Sequence, residues 1–379
     1  MHRCGLYIHI PFCKSRCIYC DFYSTTCGSE KRKAYIEAVC REITLRKEYL
    51  DSPVLSSVYI GGGTPSVLTA EELRTLFATI AEHWQLSPDA EVTLEANPDD
   101  VTPDYAKALA ALPINRVSMG VQTFNNEMLR FLHRRHSAEQ APLAVEHLLS
   151  AGIDNISIDL IYGLPNQTID LWQSDLERAL ALPVTHLSAY SLTYEEGTQL
   201  HRLREQGEVR EADEELSLQM YSLLKEKAEA AGFHHYEISN FALPGREARH
   251  NSGYWSGMHY LGVGPAAHSY DGTSRQWNSP DLQAYLHAGG DIIAAHLFSR
   301  EEITPKMQME ETLLTRLRTA AGLDLAAFAS NFGQEKLDAL LARANPYINN
   351  GTLAITGGHL RLTREGLFVS DDIISSLFE

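Results

Sequence analysis

The chain has 379 residues and a formal net charge of −17, with 44% hydrophobic and 21% charged residues. This composition is ordinary for a globular protein, and the length allows one large core and one smaller core. The negative charge repels phosphate backbones and argues against general nucleic-acid binding, and no apolar run approaches the roughly 20 residues that span a bilayer. We therefore expect a cytoplasmic protein without a transmembrane segment or a nucleic-acid partner.

Runs typical of β-strands alternate with amphipathic helical segments as far as residue 231. The strands are predicted at residues 6–10, 57–60, 91–95, 116–121, 155–161 and 186–192. The helices are predicted at residues 31–50, 70–84, 103–111, 137–151, 170–182 and 211–231. Six β/α units in series indicate a parallel sheet with right-handed crossovers, and they are too few for a closed eight-stranded barrel. The sequence therefore predicts an α/β fold, a partial (β/α)6 barrel at residues 1–231.

Two further regions follow this barrel. Residues 232–303 are rich in Gly, His, Tyr and Asn and are interpreted as a connecting region of loops and short strands. Beyond them, a terminal helix is preceded by helices near 306–321, 324–330 and 335–344 and by strands at 352–355 and 359–362. This pattern predicts a small winged-helix-like α+β domain at residues 304–379. Seven basic and nine acidic residues from Pro305 onward argue against a DNA-reading role for it.

All six cysteines lie within the first 40 residues, and Cys13, Cys17 and Cys20 form a C-x3-C-x2-C run after the first predicted strand. In a reducing cytosol such a group indicates metal binding or thiol chemistry rather than disulfides. Three thiolates on a four-iron cluster leave one iron open for the amino and carboxylate groups of S-adenosylmethionine (SAM). We therefore predict a [4Fe–4S] cluster on these three cysteines and expect the others to be dispensable for it: Cys4, Cys27 and Cys40. The alternative is unligated thiols or a zinc knuckle completed by Cys27 or His9.

Chemically distinctive residues recur where the predicted strands end. Because ligands bind at the carboxyl ends of parallel strands, these residues are expected to meet around one pocket. They are Cys13–Cys20 after the first strand, 61–64 after the second, Glu95 at the end of the third, Gln122 after the fourth and Asp159 near the end of the fifth.

The segment from Tyr7-Ile-His-Ile-Pro-Phe-Cys13 through Cys20-Asp-Phe22 resembles the cluster loop of the oxygen-independent coproporphyrinogen III oxidase family of radical SAM proteins. The resemblance runs through almost the whole chain, and it implies that the glycine segment 61–65 binds the SAM amino group. The SAM contacts that it implies are Tyr7, Tyr19, Gly62, Gly63, Thr64, Glu95, Gln122, Arg134 and Asp159. Taken singly, each could be a strand-end cap or a surface ion pair, and a glycine triplet alone is often only a tight turn.

The run His250-Asn251-Ser-Gly-Tyr254-Trp255 resembles the H-N-x-x-Y-W signature of the haem-chaperone branch of that family. It implies haem as cargo, with His250 as a ligand of the iron and the neighbouring aromatic rings over the porphyrin face. The partners implied are an apo-haemoprotein recipient, an electron donor protein and a second copy of the chain in a homodimer. The alternative for these residues is a histidine and a tryptophan that pack beneath a loop.

Two departures separate the chain from the decarboxylating branch. Phe22 stands where that branch has a fourth cysteine, and the chain begins six residues before Tyr7, which leaves no room for that branch's long N-terminal extension. We therefore expect a haem chaperone that passes haem to apo-haemoproteins, and we assign no catalytic residue. The alternative is oxidative decarboxylation of coproporphyrinogen III, with Arg134 or Arg249 steering a propionate. Another radical SAM reaction on a tetrapyrrole stays open. The segment 262–268 is common to both branches and places His268 near the SAM site.

Overall fold

A parallel sheet forms the centre of the molecule in the computed structural model, which describes residues 3–26 and 28–378. Its first six strands lie side by side in chain order: β1 Cys4–Ile10, β2 Val54–Gly62, β3 Gln85–Ala96, β4 Arg116–Gln122, β5 Asn155–Tyr162 and β6 His186–Ser191. Nearly every residue of β1, β4 and β5 is buried, as expected of parallel strands covered on both faces. The predicted partial (β/α)6 barrel is confirmed.

Helices connect the strands of the barrel: α1 Ser29–Leu45, α2 Ala70–His83, α3 Pro103–Ala110, α4 Asn126–Phe131, α5 Gln140–Ser150, α6 Ile169–Leu180, α7 Gln199–Glu205 and α8 Glu214–Ala230. Thr69, Thr102, Thr168 and Asp213 accept hydrogen bonds from backbone N–H groups in the first turns of α2, α3, α6 and α8, which fixes where these helices begin. The sequence analysis missed α4 and α7, because helices of six and seven residues are too short to show an amphipathic period.

The connecting region extends the sheet at both edges. Its elements are β7 His234–Glu237, β8 Asn240–Ala242, α9 Arg249–Ser256, β9 His259–Val263, β10 His268–Tyr270, β11 Ser274–Asn278, α10 Leu282–His287 and β12 Phe298–Glu302. Within the described residues the sheet has twelve strands, in the order β12-β11-β10-β9-β1-β2-β3-β4-β5-β6-β8-β7. Short strands were predicted in this region, and the structure adds that β9 pairs in parallel with β1, so these strands continue the barrel sheet.

The C-terminal region has its own apolar core. Its elements are α11 Pro305–Leu317, β13 Leu323–Asp324, α12 Leu325–Phe332, α13 Gln334–Asn349, β14 Leu353–Thr356, β15 His359–Leu362, α14 Arg364–Leu367 and α15 Ser370–Ser376. A short strand, β13, adds to the predicted two-stranded wing, and the terminal helix is divided into α14 and α15. Backbone hydrogen bonds join this domain to the sheet edge, from Ile238 to Arg318 and from Ala320 to Tyr236. Nowhere in residues 3–26 and 28–378 is a helix both long and apolar enough to cross a membrane.

Candidate functional site

A cavity of about 430 Å³ opens at the carboxyl ends of β1–β6. Eleven of the residues that the sequence predicts to bind the cluster or SAM line it: Cys13, Cys17, Tyr19, Cys20, Gly62, Gly63, Thr64, Glu95, Gln122, Arg134 and Asp159. We call this space the cluster cavity. The parallel register of the strands explains the convergence, because it brings six loops from different parts of the chain to one end of the sheet.

The three cysteines lie half-buried on a loop that the rest of the barrel holds in place. The backbone N–H of Cys13 donates to the carbonyl of Thr25 at 2.9 Å, and that of Ile18 to the carbonyl of Leu132 at 3.3 Å. None of the three forms a disulfide. Burial raises the pKa of the Cys13 thiol, and it raises that of Cys20 to about 11. Without a positively charged ligand these two thiols therefore keep their protons at neutral pH.

Two side chains donate hydrogen bonds to the sulfur atoms. The Thr64 hydroxyl lies 3.4 Å from Cys13 Sγ, and Nη1 of Arg134 lies 3.4 Å from Cys17 Sγ. Arg134 also donates to the carbonyl oxygen of Gly120 and to Oδ1 of Asn97. Donors of this kind stabilise negative charge on ligating thiolates and tune the reduction potential of an iron–sulfur cluster.

The cysteine loop and the glycine segment after β2 approach so closely that a side chain on Gly63 has no room. A Cβ there would lie 2.9 Å from the carbonyl oxygens of both Ile10 and Phe12 and 3.0 Å from Cys13 Sγ. Gly62 has a φ of 114°, which favours glycine because other residues rarely adopt it. The backbone N–H groups of Gly63 and Thr64 donate to the carbonyls of Ile10 and Phe12, both at 2.8 Å.

These residues fit a cluster bound by three thiolates. In the described part of the chain, no three Cys, His, Asp or Glu side chains converge to hold a single metal ion. A four-iron cluster does not need such convergence, because each thiolate binds a different iron. Cys27, the suggested fourth zinc ligand, lies outside the described residues. His9, the other suggested zinc ligand, is buried, with Nδ1 3.0 Å from the Tyr7 hydroxyl and Nε2 2.9 Å from the carbonyl of Tyr23.

Glu95 presents a carboxylate to the cluster cavity from the end of β3. Its Oε1 accepts a hydrogen bond from the Tyr59 hydroxyl at 2.7 Å, and its Oε2 accepts one from the backbone N–H of Gly62 at 2.9 Å. Burial raises the pKa of this carboxyl to about 7. Burial also raises the pKa of Asp159, which accepts a hydrogen bond from the Ser118 hydroxyl at 3.3 Å. The cavity therefore holds two carboxyl groups that a cationic ligand would help to ionise.

The sequence analysis missed Arg116, the first residue of β4. The residue is 1% exposed and lines the cluster cavity, and its Nε atom has no hydrogen-bond partner among the described residues. The signal available was a cation at the start of an otherwise apolar strand. Arg249, one of the two arginines suggested for a propionate, instead pairs with Asp89 at 3.1 Å and lies among the lining residues of neither large cavity.

His250 lies beside β1 and β2, one aromatic ring away from the cluster cavity, because it stacks on Tyr59 with ring centroids 5.1 Å apart. Its Nδ1 is 2.9 Å from the Ser57 hydroxyl and its Nε2 is 2.8 Å from the Tyr254 hydroxyl, and the side chain is buried. Both oxygens of Glu91 accept backbone N–H groups from the first turn of α9. Burial lowers the pKa of His250 to about 3. An iron ligand at His250 would have to displace Ser57 or Tyr254, so its assignment to haem stays a prediction and this geometry opposes it.

A second cavity, of about 1150 Å³, lies between α9, strands β9–β11 and the C-terminal domain. We call it the aromatic cavity, because its walls include Tyr7, Phe22, Tyr23, Tyr254, Trp255, Tyr260, Tyr270 and Phe328. Tyr7 lines this cavity, and its ring stacks on that of Tyr59 in the cluster cavity with centroids 6.1 Å apart. His268 also lines this cavity rather than the cluster cavity, which corrects its expected place near the SAM site. The motif helix α9 contributes to both spaces, with Asn251 in the first and Trp255 in the second.

Family models match two parts of the chain. Residues 7–179 match the radical SAM superfamily, and residues 303–369 match the HemN C-terminal domain. The first range covers β1–β5 with the cysteine loop, and the second covers most of the domain with the separate core.

The chain is also similar to curated proteins over nearly their whole lengths. The chain is 36% identical over 378 residues to the protein named heme chaperone HemW of Mycobacterium tuberculosis, covering 98% of this chain and 94% of that one. It is 35% identical over 375 residues to the heme chaperone HemW of Bacillus subtilis, covering 98% of both. Among solved structures, coproporphyrinogen III oxidase (HemN) from Escherichia coli, a radical SAM enzyme, matches with a TM-score of 0.85 and 23% identity, covering 100% of this chain and 90% of that one. This structural likeness extends the shared fold to the C-terminal domain.

Proposed function

We propose, from the premise that this chain belongs to the HemW-type branch of the HemN-like radical SAM family, that it binds haem and passes it to apo-haemoproteins. The proposal includes a [4Fe–4S] cluster on Cys13, Cys17 and Cys20 and SAM beside it. It also includes a cytoplasmic location, an electron donor protein and association as a homodimer. The observation that carries it is that three free thiols share one cavity with the two carboxylates and the Arg134 guanidinium that are expected to bind SAM.

The cluster cavity is lined by both carboxyl and guanidinium groups, which suits a ligand such as SAM that carries charges of both signs. A bound [4Fe–4S] cluster would supply an electron for the reductive cleavage of SAM. Glu95 and Asp159 offer carboxylates to the ammonium group or the ribose hydroxyls, and the Gly62–Thr64 backbone lies next to Cys13. Arg134 holds Cys17 by a hydrogen bond and adds a positive charge beside the ligating sulfur atoms.

The haem part of the proposal is supported by the relatives, which are named heme chaperones, and by the aromatic cavity. Its volume of about 1150 Å³ slightly exceeds that of ordinary ligand sites, which run to roughly 1,000 Å³, and so leaves room for a large ligand. Tyrosine and tryptophan walls suit the flat apolar face of a porphyrin. A carrier needs such a site in addition to the cluster cavity.

The second candidate function is oxidative decarboxylation of coproporphyrinogen III. The observation that favours it is Arg116, whose buried side chain faces the cluster cavity with an unpartnered Nε. A guanidinium in this position could bind a propionate carboxylate. The cluster cavity has a volume of about 430 Å³, so only part of a tetrapyrrole could enter it beside SAM.

One anaerobic experiment separates the two functions. Reconstituted protein is titrated with haem, and the haem-loaded form is mixed with apo-catalase, whose peroxide turnover reports haem transfer. In parallel, the same preparation is incubated with SAM, a reductant and coproporphyrinogen III. We expect one haem per chain and faster activation of catalase than by free haem at the same concentration. Protoporphyrinogen formed over many turnovers would contradict the chaperone and favour the second candidate.

A further inference from the structure

The aromatic cavity is lined by segments that are far apart in the chain. Strands β9–β11 and helix α9 form one side, and helices α11 and α12 with His359 form the other. Tyr254 packs edge-on against Tyr260 with ring centroids 4.7 Å apart, and Tyr260 lies 6.3 Å from Tyr270. This gives a continuous aromatic wall, which suits a large flat ligand.

Four histidines line this cavity, and their hydrogen bonds distinguish them. His9 has partners on both ring nitrogens. His359 contacts the carbonyl of Gly357 with Nδ1, at 3.1 Å, and Asp324 with Nε2, at 3.9 Å. His259 packs edge-on against Tyr270 and has a further interaction. The imidazole of His268 has no hydrogen bond to any residue that the structure describes.

His268 is also placed to bind a metal in the cavity. It lies exposed on β10 and stacks on Trp277 of the neighbouring strand, with ring centroids 6.1 Å apart and planes inclined by 21°. Partial burial, and less strongly the charge of Arg275, lowers its pKa below 6.5, so the imidazole is neutral at pH 7. A neutral imidazole held by a ring stack is a suitable axial ligand for haem iron.

Charged groups at the cavity wall suit the two ends of a haem. Among the described residues, the guanidinium of the exposed Arg316 donates one long hydrogen bond, of 3.4 Å, to the carbonyl of Ser256. This guanidinium could therefore hold a propionate. Arg275 is already paired with Glu311 at 2.9 Å. Phe22, which is 63% exposed, borders both this cavity and the cluster cavity, so a ligand here would lie next to the cluster loop.

We infer that haem binds in the aromatic cavity with His268 as the ligand of its iron, and that His250 is a structural residue of α9. This inference rests on the proposed function and names its binding site. The tyrosine wall and His268 come from α9, β9 and β10, whereas Arg316 comes from α11 of the C-terminal domain. The site is therefore assembled only when the C-terminal domain packs against strands β9–β11.

The test is a haem titration followed by Soret absorbance, on wild type, His268→Ala and His234→Ala. His234 is an exposed strand histidine outside both cavities, which makes it the matched control. We expect His268→Ala to bind haem roughly tenfold more weakly or worse and to lose the imidazole-ligated Soret band. Added imidazole should restore that band, and His234→Ala should behave as wild type.

A second pair of variants tests the cavity independently of the ligand. Ala327 and Ala326 are adjacent exposed residues of α12, and only Ala327 lines the aromatic cavity. Ala327→Trp should weaken haem binding, whereas Ala326→Trp should leave it unchanged. Wild-type affinity and spectrum in His268→Ala would overturn the inference while leaving the proposed function in place. Failure of the wild-type protein to bind haem would contradict the proposed function as well.

Discussion

The cluster cavity and the aromatic cavity differ in how their residues are held. In the cluster cavity, polar groups have defined protein partners, such as Glu95 with Tyr59 and Gly62, and Arg134 with Cys17. In the aromatic cavity, Tyr254, Tyr260 and Tyr270 form an aromatic wall, and among the described residues the imidazole of His268 contacts the ring of Trp277 and makes no hydrogen bond. Directional bonds fix a ligand geometry for chemistry, whereas aromatic walls bind a flat ligand and release it at lower cost. This contrast supports the proposed division between a fixed cofactor site and a cargo site.

We expect the largest effect when Cys13, Cys17 and Cys20 are replaced together by alanine. We expect anaerobically reconstituted protein to fall from about four irons per chain to almost none, because the thiolates are the proposed ligands. Haem binding in the aromatic cavity should persist. Iron analysis and the Soret titration measure the two properties on one sample. The control is Cys40→Ala, on α1 and outside both cavities, and full iron in the triple variant would contradict the assignment.

A smaller loss of iron is expected from Gly63→Ala. The new Cβ would lie within 3.0 Å of two carbonyl oxygens and Cys13 Sγ, so the cysteine loop has to shift, at a cost of about 1–3 kcal/mol. Gly28→Ala is the control, since a Cβ there meets nothing within 4 Å and its φ is −79°. Iron content after reconstitution is the measurement, and equal iron in both variants would show that the close approach has no role.

The substitution His250→Ala should lower the free energy of unfolding rather than the affinity for haem. The substitution removes the partner of Ser57 and Tyr254 and leaves a void under α9, so we expect a loss of about 2–4 kcal/mol in the free energy of unfolding. Urea denaturation measures it, with exposed His234→Ala as the comparison. Haem affinity of the folded fraction should stay near that of wild type. Unchanged stability together with lost haem binding would return the ligand role to His250.

The most gradual of the expected effects is a dependence of stability on pH. Burial raises the folded-state pKa of Glu95 from 4.5 to about 7, so the folded protein holds this proton more tightly than the unfolded chain. Its contribution to stability is therefore present below pH 4.5 and is lost as the pH rises through 7, with a slope of at most about 1.4 kcal/mol per pH unit. Glu95→Gln should remove that slope. Urea denaturation of both proteins from pH 5 to 8 checks it, and identical pH profiles would contradict the raised pKa.

Short-range sequence patterns identified the six barrel strands and their major helices because each shows its own period or composition. They missed α4 and α7, which are too short to show a period, and they treated β9–β12 as loops and short strands in a region whose regularity depends on pairing with β1. Glu42 shows the same limit. Its spacing of four residues from Arg46 is typical of an exposed ion pair on a helix. The Glu42 side chain is instead fully buried, and it accepts hydrogen bonds from Arg46, Gly264, Asn278 and Tyr285.

The sequence itself therefore determined the order of the barrel strands and the place of the cysteine and glycine segments at their carboxyl ends. Local patterns identify each strand, and consecutive parallel strands bring their carboxyl ends to the same edge of the sheet. Only the tertiary structure decided that His250 lies beside β1 and β2 and that His268 lines the aromatic cavity. These positions depend on β9 pairing with β1 and on the C-terminal domain packing against that edge. Contacts between such distant segments have no local period and no fixed spacing from which they could be inferred.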